Sequence, residues 1–149
     1  MADDRMRALV AQMPVPEPAT TPFVVPPPLE RARVAIVTTA GLASREGECA
    51  WAMGDAGFRL FARSERDLMV AHVSGNFDRA GLSADLNVAY PVDRLEELAA
   101  RGRIGSVAPR HVSFMGALPE LSTLQADTGP AAARLLREDG VDVALLTPV

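Results

Sequence analysis

Apolar and polar residues follow one another in blocks that predict an α/β protein. The strand-like blocks are short runs rich in β-branched or aromatic residues: ARVAIVTTAG, FRLF, DLMVAHV, LNVAY, IGSVAP and VDVALLTPV. The helix-like blocks PVDRLEELAARG and TGPAAARLLREDG carry an early proline and close with a glycine; Thr128 is the predicted cap of the second. Since strands and helices alternate, the pattern predicts a three-layer domain with a mostly parallel sheet, Rossmann-like or flavodoxin-like.

The beginning of the chain differs from the rest. Residues 3–13 predict a short helix, and PVPEPATTPFVVPPPLE then places its prolines too densely for a helix interior or a central strand. We therefore expect a proline-rich arm over residues 1–30, which lies on the domain or reaches a neighbouring subunit. The α/β domain is expected over residues 31–149.

One edge of the predicted sheet is where we expect chemistry. Crossover handedness places TTAG, PRHVSFMG and TPV at the carboxyl ends of their strands, on one shared rim. PRHVSFMGALPEL is interpreted as a loop beyond the strand IGSVAP. His111 in that loop is then either an acid/base or an anion contact beside Arg110, or a histidine that hydrogen-bonds to backbone. The candidate substrate-binding residues of this rim are Thr38, Thr39, Arg110, His111, Ser113 and Thr147.

Two further candidates, His72 and Asp78, follow the strand DLMVA. They suit either a metal site or a rim histidine paired with a carboxylate, but their spacing matches no metal motif, so we predict no metal site. Cys49 has two acidic neighbours, Glu46 and Glu48, which would raise rather than lower the pKa of its thiol, and it is predicted to be a packed or loop cysteine. The residues alone therefore predict a small-ligand-binding domain without a nucleophile.

Charge and composition remove several classes of function. A net charge of −4 gives no support for a nucleic-acid partner. All 15 basic residues are arginine, which excludes a Schiff-base lysine and a phosphate-loop lysine. No apolar run reaches the length of a membrane span, and the acidic N-terminal segment is unlike a signal peptide. We expect a cytoplasmic protein with no membrane partner.

Three stretches together resemble a known enzyme family. RVAIVTTAGL, ADLNVAYPVDRLEELAARGRIGSVAPRHVSFMGAL and REDGVDVALLTPV resemble, in order and spacing, the selenoprotein B family of glycine, sarcosine, betaine and D-proline reductases. The resemblance covers most of the chain from about Arg31. It implies that a strand like VDVALLTPV is followed by selenocysteine or cysteine and then by a short segment with a helix. We therefore expect a UGA codon after Val149, and an α/β domain that lacks its last helix in this chain.

The resemblance also implies a function. It implies a selenol- or thiol-dependent reductase that cleaves a C–N bond of a small-molecule substrate, with partner subunits and a thioredoxin-like electron donor. No cofactor is expected beyond selenocysteine, and the 149-residue chain, without its nucleophile, is expected to be inactive. Two alternatives remain open: a non-catalytic small-ligand-binding module, and a non-catalytic subunit that joins a reductase complex through the proline-rich arm.

Overall fold

The computed structural model describes residues 2–12, 23–47, 50–75 and 79–149. Within these ranges, four α-helices and seven strands confirm the α/β class. The helices are α1 (Ala2–Ala11), α2 (Ala80–Ala84), α3 (Val92–Ala100) and α4 (Gly129–Glu138). The strands are β1 (Arg33–Thr38), β2 (Leu42–Ser44), β3 (Phe58–Ala62), β4 (Leu68–Val70), β5 (Ser106–Val107), β6 (Arg110–Phe114) and β7 (Val143–Thr147).

The main sheet is mixed and is built around β1. On one side, β1 pairs in parallel with β7 over five residues. On the other side it pairs in parallel first with β5 and then with β6. β3 adds to β6 in antiparallel direction, and β2 and β4 form a separate antiparallel pair. The mostly parallel Rossmann-like or flavodoxin-like arrangement is therefore not confirmed. Parallel strands are usually joined by a crossover connection that contains a helix. Within the described residues no helix lies between β1 and β3, which agrees with the antiparallel direction of β3.

Two apolar cores lie on the two faces of β1, because successive side chains of a strand point to opposite faces. Val34 and Ile36 belong to the core that includes Val92 and Leu95 of α3. Ala35 belongs to the second core, with Ala132 and Leu136 of α4. Both helices thus bury the amphipathic faces that their sequences predict.

The segment LNVAY, predicted as a strand, instead contains a single 3-10 turn at Leu86–Val88. The Asp85 side chain accepts the backbone N–H of Asn87 at 2.9 Å, which caps this turn. The segment that precedes this turn contains the short helix α2. Local capping here outweighs the strand preference of a short apolar run.

The segment PRHVSFMG is a strand, β6, and not the predicted loop. Its side chains from His111 to Met115 are all buried, so it lacks the alternation that identifies a half-exposed strand. Thr128 lies at the predicted N-cap position of α4, but its side chain makes no capping hydrogen bond there. A π-helical turn, Leu124–Thr128, leads directly into α4, and the Thr128 hydroxyl donates to the Ala56 carbonyl at 2.6 Å. The glycines predicted at the ends of α3 and α4 are confirmed: Gly102 and Gly140 have φ of 64° and 68°.

The described part of the proline-rich arm consists of α1 and an irregular segment from Phe23 to Pro28. Phe23, Val24 and Val25 are 76% to 83% exposed. Whether residues 1–30 form a unit separate from the domain stays a prediction. None of the described helices has both the length and the apolar content needed to cross a membrane.

Candidate functional site

The carboxyl ends of β1, β6 and β7 meet at one edge of the sheet, the predicted rim, although PRHVSFMG reaches it as the strand β6 and not as a loop. Thr38, the last residue of β1, lies opposite Ser113 of β6 and Thr147 of β7. Since the three strands are parallel to one another, the residues that follow them also lie on this side. The rim therefore brings together predicted site residues from three strands.

Threonine side chains fix the end of β7 at the rim. The Thr38 hydroxyl donates to the Thr147 carbonyl at 3.1 Å, and the Thr147 hydroxyl donates to the Ala89 carbonyl at 2.8 Å. The Thr39 hydroxyl accepts the backbone N–H of Val149 at 2.9 Å and lies 3.4 Å from the Val149 carbonyl oxygen. Three of the predicted candidates thus hold the segment Thr147 to Val149 in place.

The side chain of His72 also lies at the rim, next to the end of β7, although His72 does not belong to the main sheet. It lies just after β4, and its side chain is buried. A Cβ placed on Gly116 would lie 2.8 Å from His72 Nε2, 3.1 Å from the Thr39 carbonyl oxygen and 3.3 Å from the Val149 carbonyl oxygen. The imidazole, the end of β1 and the end of β7 therefore converge on one glycine, which the sequence analysis did not single out.

The contacts of His72 define its protonation state. Its Nδ1 accepts the backbone N–H of Ser74 at 3.1 Å, so the neutral ring carries its proton on Nε2. Burial lowers the pKa of His72, and the nearby positive charge of Arg79 lowers it further. The Arg79 guanidinium also donates to the His72 carbonyl at 2.7 Å. At neutral pH the rim therefore holds an uncharged imidazole whose Nε2–H is a hydrogen-bond donor.

His111 lies in the interior of the domain. Its Nδ1 accepts the backbone N–H of Ile36 at 3.1 Å, and its ring meets the Tyr90 ring edge-on at 5.5 Å between centroids. Burial lowers the pKa of His111 to about 4 and raises the pKa of Tyr90. Of the two interpretations offered by the sequence, the contact observed is the hydrogen bond to backbone.

The other candidates make contacts within the fold. Arg110 forms a two-point ion pair with Asp139 after α4, at 2.9 and 2.8 Å. The Ser113 hydroxyl accepts the backbone N–H of Leu42 at 2.9 Å. Asp78 and Cys49 lie outside the described residues. Among the described residues, no group of three or more His, Cys, Asp or Glu side chains is placed to hold a metal ion.

An apolar cavity of about 500 Å³ opens beside the rim, between α4 and the sheet. It reaches the rim at Thr39 and Gly116. The π-helical turn before α4 contributes Leu124 to its lining. The remaining lining is almost entirely apolar: Val37, Phe114, Met115, Ala117, Leu118, Leu121, Gly129, Ala132, Ala133, Leu136 and Ala144. No periodic pattern in the sequence predicts this cavity, because its walls come from segments far apart in the chain.

Comparison with known proteins identifies relatives of the chain. The family model described as glycine/sarcosine/betaine reductase selenoprotein B matches residues 9–149. The chain is 37% identical over 134 residues to a protein from Acetoanaerobium sticklandii named D-proline reductase subunit gamma. That match covers 89% of this chain and 54% of the relative, so the chain spans about half the relative's length. No solved structure matches the chain.

Proposed function

The chain belongs to the glycine/sarcosine/betaine reductase selenoprotein B family, and on this basis we propose that it forms the rim at which a selenol- or thiol-dependent reductase acts. The nucleophile would be a selenocysteine or cysteine carried directly after Val149. It would attack an activated substrate carbon and displace nitrogen. In the net reaction a C–N bond is replaced by a C–H and an N–H bond, while two thiols become one disulfide.

The observation that carries this proposal is the fixed position of Val149. The Thr39 hydroxyl accepts the backbone N–H of Val149. The Val149 carbonyl oxygen lies beside Gly116, and His72 Nε2 lies beside the same glycine. Consecutive Cα atoms are about 3.8 Å apart, so a residue following Val149 would begin at the rim itself. A nucleophile there would lie next to an uncharged N–H donor and next to the mouth of the apolar cavity.

We also propose that the chain acts with partner subunits. The relative from Acetoanaerobium sticklandii is named as a subunit of D-proline reductase. A small amine or amino acid is the corresponding substrate class, and a thioredoxin-like dithiol is the proposed electron donor. In this proposal Thr38, Thr39, His72 and Thr147 form the site, and Asp78 remains a candidate. The cytoplasmic location and the selenocysteine also remain proposals.

The test begins with the gene. Sequencing past the Val149 codon is expected to show UGA followed by an open frame. A chain extended through that frame, carrying selenocysteine or cysteine, is expected to support dithiol-dependent reduction of D-proline with its partner subunits, while the 149-residue chain does not. A different codon with no open frame, or equal turnover by the two forms, would contradict the proposal.

A second candidate function is a non-catalytic small-ligand-binding module, and the apolar cavity favours it. Its volume of about 500 Å³ falls in the range typical of small-molecule sites. The experiment is binding of apolar amines and carbonyl compounds to the 149-residue chain by calorimetry. Saturable binding combined with the absence of an open frame after Val149 would favour this function over the reductase.

A further inference from the structure

We propose that the Nε2–H of His72 stabilises the anionic form of the reactive selenol or thiol at the rim, and that Gly116 is the positioning residue that gives the imidazole its space. This inference rests on the proposed function, because it assigns a role at the same site. It goes beyond that function by naming the hydrogen-bond donor that would activate the nucleophile.

The first step is the identity of the donor. A neutral imidazole has one N–H, and the Ser74 backbone N–H already occupies the acceptor position at Nδ1. Nε2 therefore carries the hydrogen. Burial and the charge of Arg79 both favour the uncharged ring, so this arrangement persists at neutral pH. An N–H donor of this kind forms a charge-assisted hydrogen bond with a thiolate or selenolate, which lowers the pKa of the nucleophile.

The second step is the direction of the donor. His72 Nε2 lies 2.8 Å from the position of a Cβ on Gly116, and the Val149 carbonyl oxygen lies 3.3 Å from that same point. His72 Nε2 and the carboxyl group of Val149, which a following residue would convert into a peptide group, therefore border one small space. A side chain on the residue directly after Val149 starts from that peptide group.

The third step is the requirement for glycine at position 116. A methyl group there would stand closer to His72 Nε2 than van der Waals contact allows, and only 3.1 Å from the Thr39 carbonyl oxygen. The backbone of His72 has little freedom to withdraw, because the Ala71 N–H donates to the Gly41 carbonyl at 2.9 Å and the Arg79 guanidinium donates to the His72 carbonyl at 2.7 Å. The ring itself, or the end of β7, would have to move.

The main experiment measures the pKa of a thiol at the proposed position. In a Cys49→Ser background, one cysteine is added directly after Val149, and its alkylation by iodoacetamide is followed from pH 5 to 10. Relative to this parent, His72→Phe and Gly116→Ala are expected to slow alkylation at pH 7 roughly tenfold, equivalent to a thiol pKa about one unit higher. His72→Gln, whose amide also donates, is expected to restore part of the rate.

The control variant is Gly81→Ala, because a Cβ at Gly81 meets nothing within 4 Å. It is expected to leave the thiol pKa unchanged. The negative charge of the adjacent terminal carboxylate is common to all variants and cancels in the comparison. Identical thiol pKa values in the parent, His72→Phe and Gly116→Ala would overturn the inference.

A second measurement needs no substitution and no added residue. Long-range ¹H–¹⁵N spectra of the 149-residue chain at pH 7 are expected to show His72 as the Nε2–H tautomer, and an Nδ1–H tautomer or a charged ring would overturn the inference. The reductase proposal and the donor role of His72 can be contradicted independently of each other. Altered thiol pKa values without reductase activity in the extended protein would contradict the reductase and support the donor role, whereas activity with unaltered pKa values would do the reverse.

Discussion

His111 accepts the backbone N–H of Ile36 across two neighbouring strands, and so takes the place of a main-chain carbonyl. β1 pairs with β5 at Arg33 and Val34 and with β6 only from Val37. The ladder is interrupted between these points, and the imidazole Nδ1 satisfies the Ile36 N–H at 3.1 Å. Because both residues are fully buried, an unsatisfied N–H at this position would be costly.

We predict that His111→Phe destabilises the domain. The substitution removes the acceptor and leaves the buried Ile36 N–H without a partner, at a cost of about 2–3 kcal/mol. Urea unfolding followed by the fluorescence of Trp51, the single tryptophan, measures this change. His111→Asn is the matched control, since its Oδ1 can accept near the position of Nδ1, and it should recover part of the loss. Equal stability of His111→Phe and the parent would show that the hydrogen bond contributes nothing.

The same histidine predicts a dependence of stability on pH. The pKa of His111 is about 4 in the folded protein and 6.5 in the unfolded chain. The unfolded chain therefore binds the proton more readily, so stability is full above pH 6.5 and falls as the pH drops from 6.5 toward 4. The loss attributable to His111 is about 3 kcal/mol once both pKa values have been passed. The burial of His72 contributes in the same direction.

The measurement is the free energy of unfolding at pH 7.5, 6.0 and 5.0, a range in which few carboxylates titrate. The parent should lose more stability than His111→Asn between pH 7.5 and pH 5.0. Parallel pH profiles for the two proteins would show that His111 does not titrate as its burial requires.

The sequence predicts those parts of the fold that follow from local periodicity. The helices α3 and α4, the strands β1, β3 and β7, and the glycines that end the helices were all predicted. β6 was not, because a strand buried on both faces that carries His111 and Ser113 has no apolar alternation. Its polar side chains are tolerated because backbone N–H groups of Ile36 and Leu42 are their partners, and such pairing is decided only by tertiary contacts.

The site, too, has features that the sequence predicts and features that only tertiary contacts decide. The rim and its threonines follow from strand direction, which the sequence supplies. The proximity of His72 to Gly116 does not follow from strand direction. It depends on the pairing of β4 with β2, outside the main sheet, and the sequence does not predict that pairing. From the sequence, Arg110 is a candidate for binding an anionic ligand. In the structure its carboxylate partner is Asp139, which follows α4 and lies far from Arg110 along the chain.

We predict that Gly105→Ala disrupts the start of the sheet. A Cβ at this position would lie 2.4 Å from the carbonyl carbon and 2.5 Å from the carbonyl oxygen of Arg31. Backbone atoms cannot move aside as a side chain can, so the expected loss is about 2–3 kcal/mol. Gly81→Ala in α2 is the control and should stabilise by about 0.5–1 kcal/mol, as alanine does in a helix. A neutral Gly105→Ala would mean that the turn before β5 is looser than this packing indicates.

The ion pair between Arg110 and Asp139 is expected to act on stability alone. Arg110→Ala should lower the free energy of unfolding by less than His111→Phe does, because the arginine is partly exposed. A double-mutant cycle with Asp139→Asn measures the coupling between the two side chains. Neither substitution should change the thiol pKa of a cysteine added after Val149. A change in that pKa would place Arg110 in the site after all.

The outer strand β7 presents apolar side chains to solvent. Within the described residues β7 pairs with β1 alone, and Leu146 is 68% exposed while Leu145 is 38% exposed. Because adjacent side chains point to opposite faces, both faces of β7 are incompletely covered. An uncovered apolar edge strand is a site of association between chains. We predict that the 149-residue chain associates through β7 at high concentration.

Leu146→Glu tests this association. The introduced charge should reduce the concentration-dependent rise in light scattering without lowering the free energy of unfolding, because Leu146 buries little surface. Met53→Glu is the matched control: Met53 is 72% exposed but lies in the segment between β2 and β3, so its substitution should leave association unchanged. Equal effects of the two substitutions would point to net charge rather than β7. A chain extended beyond Val149 should associate less and melt at a higher temperature if the added segment covers this strand.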